Sequence, residues 1–166
     1  MLQNPSGVLN QIIGVVGIEP QPWLGSKRFA LISVVMVTLW QGVGYSMIIF
    51  LAGLQDIPRV YYEAATIDGA GAWKRFRYLT LPLLKPTSVF VGLISFIQAL
   101  QLFDPIFVLT QGGPAGATTT AVYYIYETAF EFLQLGYASA LSIALFAIIL
   151  AFSLLQLRVF RMETHE

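Results

Sequence analysis

One histidine, His165, and no cysteine limit the chemistry open to this 166-residue chain. A metal site built on His or Cys is excluded, and a catalytic triad has no imidazole outside the terminal tail. No nucleophile–base pair and no GxxxxGK[ST] phosphate loop occurs, so an enzyme and a P-loop nucleotide binder are both poor readings. Two kinds of chemically pointed residue remain. Trp40, Gln41, Tyr45, Ser95, Gln98 and Gln101 sit inside long apolar stretches, where an amide needs a hydrogen-bond partner or a wet cavity. The segment Asp56 to Pro86 (DIPRVYYEAATIDGAGAWKRFRYLTLPLLKP) holds five of the nine basic residues, Arg59, Lys74, Arg75, Arg77 and Lys85, between two such stretches. A polar, cationic hinge between apolar spans must sit in water on one face of a membrane, and it poses the question of what it docks against.

The elements that position these residues follow from composition. The hydrophobic fraction is 57% and mean hydropathy is +0.71, while 11% of residues are charged, against roughly 25% in a soluble domain. So little charge cannot cover a globule, and the chain belongs in lipid. A formal net charge of zero argues against a nucleic-acid footprint. The stretch 29–54 is free of charge, and about 26 residues at 1.5 Å each exceed the ~30 Å hydrocarbon thickness. The stretch 87–108 is a second span and 137–158 a third, ended by Arg158 and Arg161. The fold class expected is an all-α membrane protein with three transmembrane helices.

Between the spans the chain is punctuated. Residues 1–28 are rich in Gly and Pro, from Pro5 to Gly25. Their apolar run (Val8, Leu9, Ile12, Ile13, Val15, Val16) suits a short amphipathic helix at an interface, and an irregular loop fits as well. Gly42 and Gly44 either open a pathway-lining surface or let a neighbouring helix approach. In the hinge, Asp56 can cap a helix with Pro58 in its first turn, running to Ile67. Asp68-Gly69 ends it, with Gly69 free to take positive φ. Val60, Ala64 and Ile67 share one face, with Tyr61 and Ala65 beside them. A second short helix covers Ala72 to Leu79, and Leu81-Pro82 and Lys85-Pro86 break the chain towards the next span. In the loop 109–136, Thr110 to Gly116 must lie outside hydrocarbon. Ala121 to Leu133, with Glu127 and Glu131 four apart, suits an amphipathic surface helix; a fourth span is the alternative. Basic residues crowd the hinge and the tail and are missing from 104–137, so the hinge and C-terminus are expected in the cytoplasm; Lys27 and Arg28 count against that scheme.

The hinge resembles the signature of permease subunits of binding-protein-dependent ABC importers. That signature is EAA, a short gap, a Gly, then a downstream Leu-Pro. Glu63-Ala64-Ala65, Asp68-Gly69-Ala70, Phe76, Leu81-Pro82 and Pro86 meet it in order. The Tyr-Glu-Ala-Ala opening, Trp73 and Thr110-Gln111-Gly112-Gly113-Pro114 look like the sugar-importing, MalF-like branch. The resemblance implies a MetI-like permease core in the bacterial inner membrane. By it, Glu63, Ala64, Ala65, Asp68, Gly69 and Ala70 become residues that couple to a separate cytoplasmic ATPase dimer. That ATPase, and not this chain, binds ATP and Mg. A second permease subunit, an extracytoplasmic solute-binding protein and a sugar complete the expected partners, beside the bilayer itself. Trp40, Gln41, Tyr45, Gln98 and Gln101 suit a sugar, with aromatic faces for C–H surfaces and amides for hydroxyls. Family members normally have further spans upstream of Phe29, so a partial permease is expected. The alternative is a truncated, non-transporting membrane protein that only binds the ATPase or partner permease. A secondary transporter would expect ionisable residues at mid-membrane, and no Asp, Glu, Lys, Arg or His lies in the middle of the three spans, Asp104 and Arg158 falling near span ends.

Overall fold

The computed structural model describes residues 7–15, 17 and 19–163, with side chains through Arg158. Pro5, Val16, His165 and the side chain of Arg161, all used above, lie outside the described residues. Among the described residues the secondary structure is helical throughout. In chain order these are α1 (Val8–Val15), α2 (Lys27–Gln55), α3 (Arg59–Ile67), α4 (Ala72–Arg75), a π-helical turn (Phe76–Thr80), α5 (Leu81–Leu83) and α6 (Lys85–Leu100). Then come α7 (Asp104–Leu109), α8 (Ala121–Tyr126), a second π-helical turn (Glu127–Glu131) and α9 (Leu135–Glu163).

Two helices, Lys27–Gln55 and Leu135–Arg158 within α9, are long and apolar enough to cross a membrane. A third crossing arises if Ala72–Leu83 and Lys85–Leu100, bent by 61°, act as one span. The span expected over 87–108, with Asp104-Pro105 marking its far end, is helical to Leu100 and breaks over residues 101–103. α6 stops at Leu100, and α7 starts afresh at Asp104 with Pro105 in its first turn, where a missing N–H costs nothing. Phe103 leaves helical geometry (φ −127°), and the Thr120 hydroxyl donates to the Leu102 carbonyl at 2.6 Å, which gives that freed acceptor a partner. The break expected from Leu81-Pro82 and Lys85-Pro86 falls at Leu84, where the run Ala72–Leu83 turns by 61° into Lys85–Leu100. Pro82 itself sits in α5, directly after a π turn whose wider backbone bonds (Leu81 N to Phe76 O) accommodate a residue that cannot donate.

By its contacts the chain divides into two compact units: Met1–Trp40 with Gln98–Phe152, and Gln41–Ile97 with Ser153–Glu166. In the first, Val34, Ile106 and Tyr123 form a buried cluster, with Leu102 and Phe103 packed on it. Phe103, Phe107 and Tyr126 pack with ring centroids 5.2–5.4 Å apart, Phe103 and Phe107 stacked and Tyr126 edge-on to Phe107, within the range of favourable aromatic pairing. Burial pushes the Tyr123 phenol above its ordinary pKa, with the Glu131 and Glu127 carboxylates adding to it. The segment that joins α1 to α2 is held by buried Asn10. Its Oδ1 accepts from Gln21 N (3.0 Å) and from the Trp23 indole (2.8 Å), while its Nδ2 donates to the Gln21 carbonyl (3.1 Å). The loop after α7 is closed by buried Thr118, whose hydroxyl lies 2.7 Å from Thr110 Oγ1 and 2.8 Å from the Gly113 carbonyl.

In the second unit, helices approach closely. A β-carbon on Gly53 of α2 would stand 2.5 Å from Thr87 Oγ1, 3.0 Å from Thr87 Cγ2 and 3.2 Å from Leu84 Cδ2. α9 is tied to α6 by Gln156 Nε2, which donates to the Val89 carbonyl at 2.9 Å. Much apolar surface stays uncovered along the long helices, including Leu39, Met47, Ile48, Ile143 and Phe146. Surface of that extent is at rest only against lipid or other protein.

Candidate functional site

The EAA segment forms α3, and its ends are built differently from each other. The Asp56 cap is not formed; Asp56 N instead bonds to Ala52 O and closes α2. Half a turn on, Ile57 is buried, Pro58 is extended (φ −60°, ψ 133°) and serves as the N-cap without a side-chain bond. The helix opens with Tyr61 N donating to Pro58 O at 3.2 Å. Pro supplies no side-chain oxygen, so the first amides of α3 are left to water or to another protein.

The other end is tightly specified. Ala70 N donates to Ala65 O at 2.9 Å, and Gly69 N donates to Thr66 O at 3.0 Å, with Gly69 at φ +72°. These are the two bonds of a Schellman motif, which satisfies the last carbonyls of the helix. Nothing lies within 4 Å of where a Gly69 β-carbon would be, so glycine is needed there for its backbone angle and not for space.

One face of α3 is spoken for. Tyr62 OH lies 2.9 Å from the hydroxyl of buried Thr80, and Arg75 Nη1 donates to Thr66 Oγ1 at 2.9 Å. Tyr62 and Thr66 are one turn apart, so they point α3 at the helical run 72–83. At 3.6 residues per turn, the face opposite them carries Val60, Ala64 and Ile67, flanked by Glu63 and Tyr61. All five are exposed, Ile67 at 87%. Trp73, 74% exposed, packs its ring 5.8 Å from that of Phe76 at the start of the next helix. The site is therefore a short rod, fixed along one side, with an uncovered apolar strip and one carboxylate on the other. An uncovered apolar strip beside a single carboxylate is surface of the kind that suits contact with another protein.

Of the expected coupling residues, Glu63 and Ala64 lie on the open side, Ala65 is half-buried towards the fixed side, and Asp68, Gly69 and Ala70 form the helix end. The expected pathway residues are distributed over both units. Trp40, Gln98 and Gln101 belong to the first, Gln41 and Tyr45 to the second, and each is exposed. Ser95, Gln98 and Gln101 are spaced about one helical turn apart in sequence, but Gln101 falls just past the end of α6, so only Ser95 and Gln98 are on that helix. Trp40 lines an apolar groove of about 390 Å³ with Val8, Leu9, Trp23, Ser33, Met36 and Val37. Sequence reasoning used Tyr62 only as the first residue of the Tyr-Glu-Ala-Ala opening and passed over Thr66 and Thr80. The available signal was a pair of hydroxyl residues at i, i+4 on the side of α3 away from Val60–Ala64–Ile67.

Comparison with known proteins bears on this arrangement. Residues 6–162 match the family described as binding-protein-dependent transport system inner membrane component. The chain is 41% identical over 155 residues to the sulfoquinovosyl glycerol transport system permease protein SmoG of Agrobacterium fabrum, covering 93% of this chain and 50% of that protein. It is 42% identical over 158 residues to the trehalose/maltose transport system permease protein MalF of Thermococcus litoralis, covering 93% of this chain and 52% of that one. It thus spans about half the length of these curated relatives. Among solved structures, a chain of a bacterial alginate ABC transporter, in complex with alginate pentasaccharide-bound periplasmic protein, superposes with a TM-score of 0.87 at 25% identity, covering 98% of this chain and 57% of that one. With its all-α fold, its apolar helices and a family match over nearly its whole length, the chain belongs to the binding-protein-dependent transport system inner membrane components, the MetI-like permeases of ABC importers.

Proposed function

We propose that this chain is part of the membrane-spanning permease of an ATP-driven carbohydrate importer. It contributes to the translocation pathway and couples to a separate cytoplasmic ATPase dimer through residues 55–86. The observation that carries this reading is α3 itself, a short helix with a Schellman end, fixed along one side and uncovered along Val60, Ala64 and Ile67. Low alanine surface lets another backbone come close, and Glu63 stands where a basic residue of a partner can meet it. ATP and Mg are then held by that partner. Closure of two ATPase subunits would move the attached spans as rigid bodies and switch access from one side to the other. The hinge and C-terminus are cytoplasmic on this reading, in line with the basic residues gathered there.

A carbohydrate cargo is supported by the transport named for the relatives, of a sulfoquinovosyl glycerol and of trehalose/maltose. It would arrive on an extracytoplasmic solute-binding protein and pass a second permease subunit, with Trp40, Gln41, Tyr45, Gln98 and Gln101 supplying stacking faces and amides. The chain has no cysteine, which permits a clean test. Ala64→Cys in the complete importer should cross-link to the ATPase and react with membrane-impermeant thiol reagents only from the cytoplasmic side. Labelling only from outside, or no capture of an ATPase, would overturn the assignment.

A further inference from the structure

We propose that Tyr62, Thr66, Arg75 and Thr80 form a polar clamp that locks α3 to the helical run 72–83, so that thrust received by α3 reaches the membrane helices through these side chains and not through the connecting turn. The inference rests on the coupling role proposed above and assigns positioning residues to it.

The backbone between the two helices consists of Asp68, Gly69, Ala70 and Gly71. Gly69 N and Ala70 N bond back to α3, while Gly71 O accepts from Arg75 N of α4, so these bonds end one helix and start the next without bridging the two. Neither glycine has any atom within 4 Å of its missing β-carbon. A turn with two uncrowded glycines bends readily under load. Stiffness must come from elsewhere, and the structure offers two hydrogen-bond relays side by side. In one, the Tyr62 hydroxyl meets Thr80 Oγ1 at 2.9 Å, and Thr80 Oγ1 donates onward to the Arg75 carbonyl at 3.5 Å. In the other, Arg75 Nη1 donates to Thr66 Oγ1 at 2.9 Å, and Thr66 Oγ1 donates to the Tyr62 carbonyl at 2.7 Å. With Tyr62 as donor to Thr80, each threonine hydroxyl accepts once and donates once. Both relays begin and end on the same two residues, Tyr62 and Arg75, and run in opposite directions between the helices. Two parallel links resist both sliding and rotation, where a single link would act as a pivot. Thr80 is buried and closes the π turn, directly before Leu81–Leu83 and the bend into α6. A displacement of α3 is thereby delivered at the foot of a span.

The test uses the complete importer in proteoliposomes and reads substrate transported per ATP hydrolysed. Tyr62→Phe and Thr66→Val each break one relay. Loss of one hydrogen bond of ordinary net strength should lower that ratio roughly 2- to 10-fold, with the double variant lower still. Thr80→Val should behave like Tyr62→Phe, and Thr80→Ser, which keeps the hydroxyl, should restore the ratio; a merely structural role would not separate the two. An unchanged ratio in the double variant, with the assembly intact, would overturn the clamp. If the double variant does not assemble, Tyr62→Phe alone decides, because it removes one oxygen and preserves shape. Ala64→Trp, on the open face of α3, separates this proposal from the reading beneath it. Retention of the ATPase and of transport by Ala64→Trp would refute coupling through α3 altogether. Loss of the ATPase there, with an unchanged ratio in the relay variants, would refute only the clamp.

Discussion

Replacing Gly53 by alanine should separate α2 from the start of α6. The added methyl would lie 2.5 Å from Thr87 Oγ1 and 3.0 Å from Thr87 Cγ2, whereas carbon contacts are at their best near 3.5–4.0 Å, so the nearest pair must open by about 1 Å. Rotating Thr87 gives little relief, because both branches of its β-carbon already face the glycine and a β-branched residue is stiff at χ1. Leu84 Cδ2 at 3.2 Å closes the remaining direction. Overpacking of this kind costs about 1–3 kcal/mol. At roughly 2–4 °C per kcal/mol for a chain of this size, melting of the detergent-solubilised assembly should fall by about 2–12 °C. The double variant Gly53→Ala, Thr87→Ala removes both clashing atoms and should recover most of that loss, a clear departure from additivity for residues in contact. Gly53→Ala melting at the unaltered temperature, or no recovery in the double variant, would refute the claim that this glycine exists for close helix approach.

Other positions give independent tests. Gly69→Ala should cost about 1–2 kcal/mol, since only the left-handed angle is at stake, and should speed hydrogen exchange at the Gly69 and Ala70 amides. Asn10→Ala strands the Gln21 amide and the Trp23 indole N–H; it should destabilise by about 1–3 kcal/mol and shift Trp23 fluorescence towards that of a hydrated indole. Thr128 is buried with its hydroxyl unpartnered, so Thr128→Val, equal in shape, should leave melting unchanged or raise it by the equivalent of about 1 kcal/mol.

Features encoded locally were legible in the sequence. Asp68-Gly69 announces a helix end because few residues tolerate φ +72°, and the apolar strip of α3 follows from spacing alone. The stretches free of charge became α2 and α9 because nothing in them opposes a continuous helix in lipid. What sequence concealed depends on partners distant along the chain. The end of α6 at Leu100 is secured by Thr120, the joining segment by Asn10, and the first-unit core by Val34 meeting Ile106 and Tyr123. Pro82 was legible in part. With Pro86 it announced the break, which falls at Leu84, but not the π turn upstream that rearranges the bonds so that Pro82 itself sits in a helix. The polar side of α3 went unread because Tyr62 and Thr66 look like ordinary solvated residues until Arg75 and Thr80 are opposite them.

The π turn at Phe76–Thr80 is equivalent to one amino acid slipped into an α-helix. The extra residue is absorbed within those five positions, so the helix before it and the helix after it keep nearly the directions an uninterrupted helix would give them. Deleting one of Phe76, Arg77, Tyr78 or Leu79 would therefore restore α-helical bonding with little rotation of the flanks, but the wider bonds that now accommodate Pro82 would be lost. This stretch gives up regularity to seat a proline inside a helix.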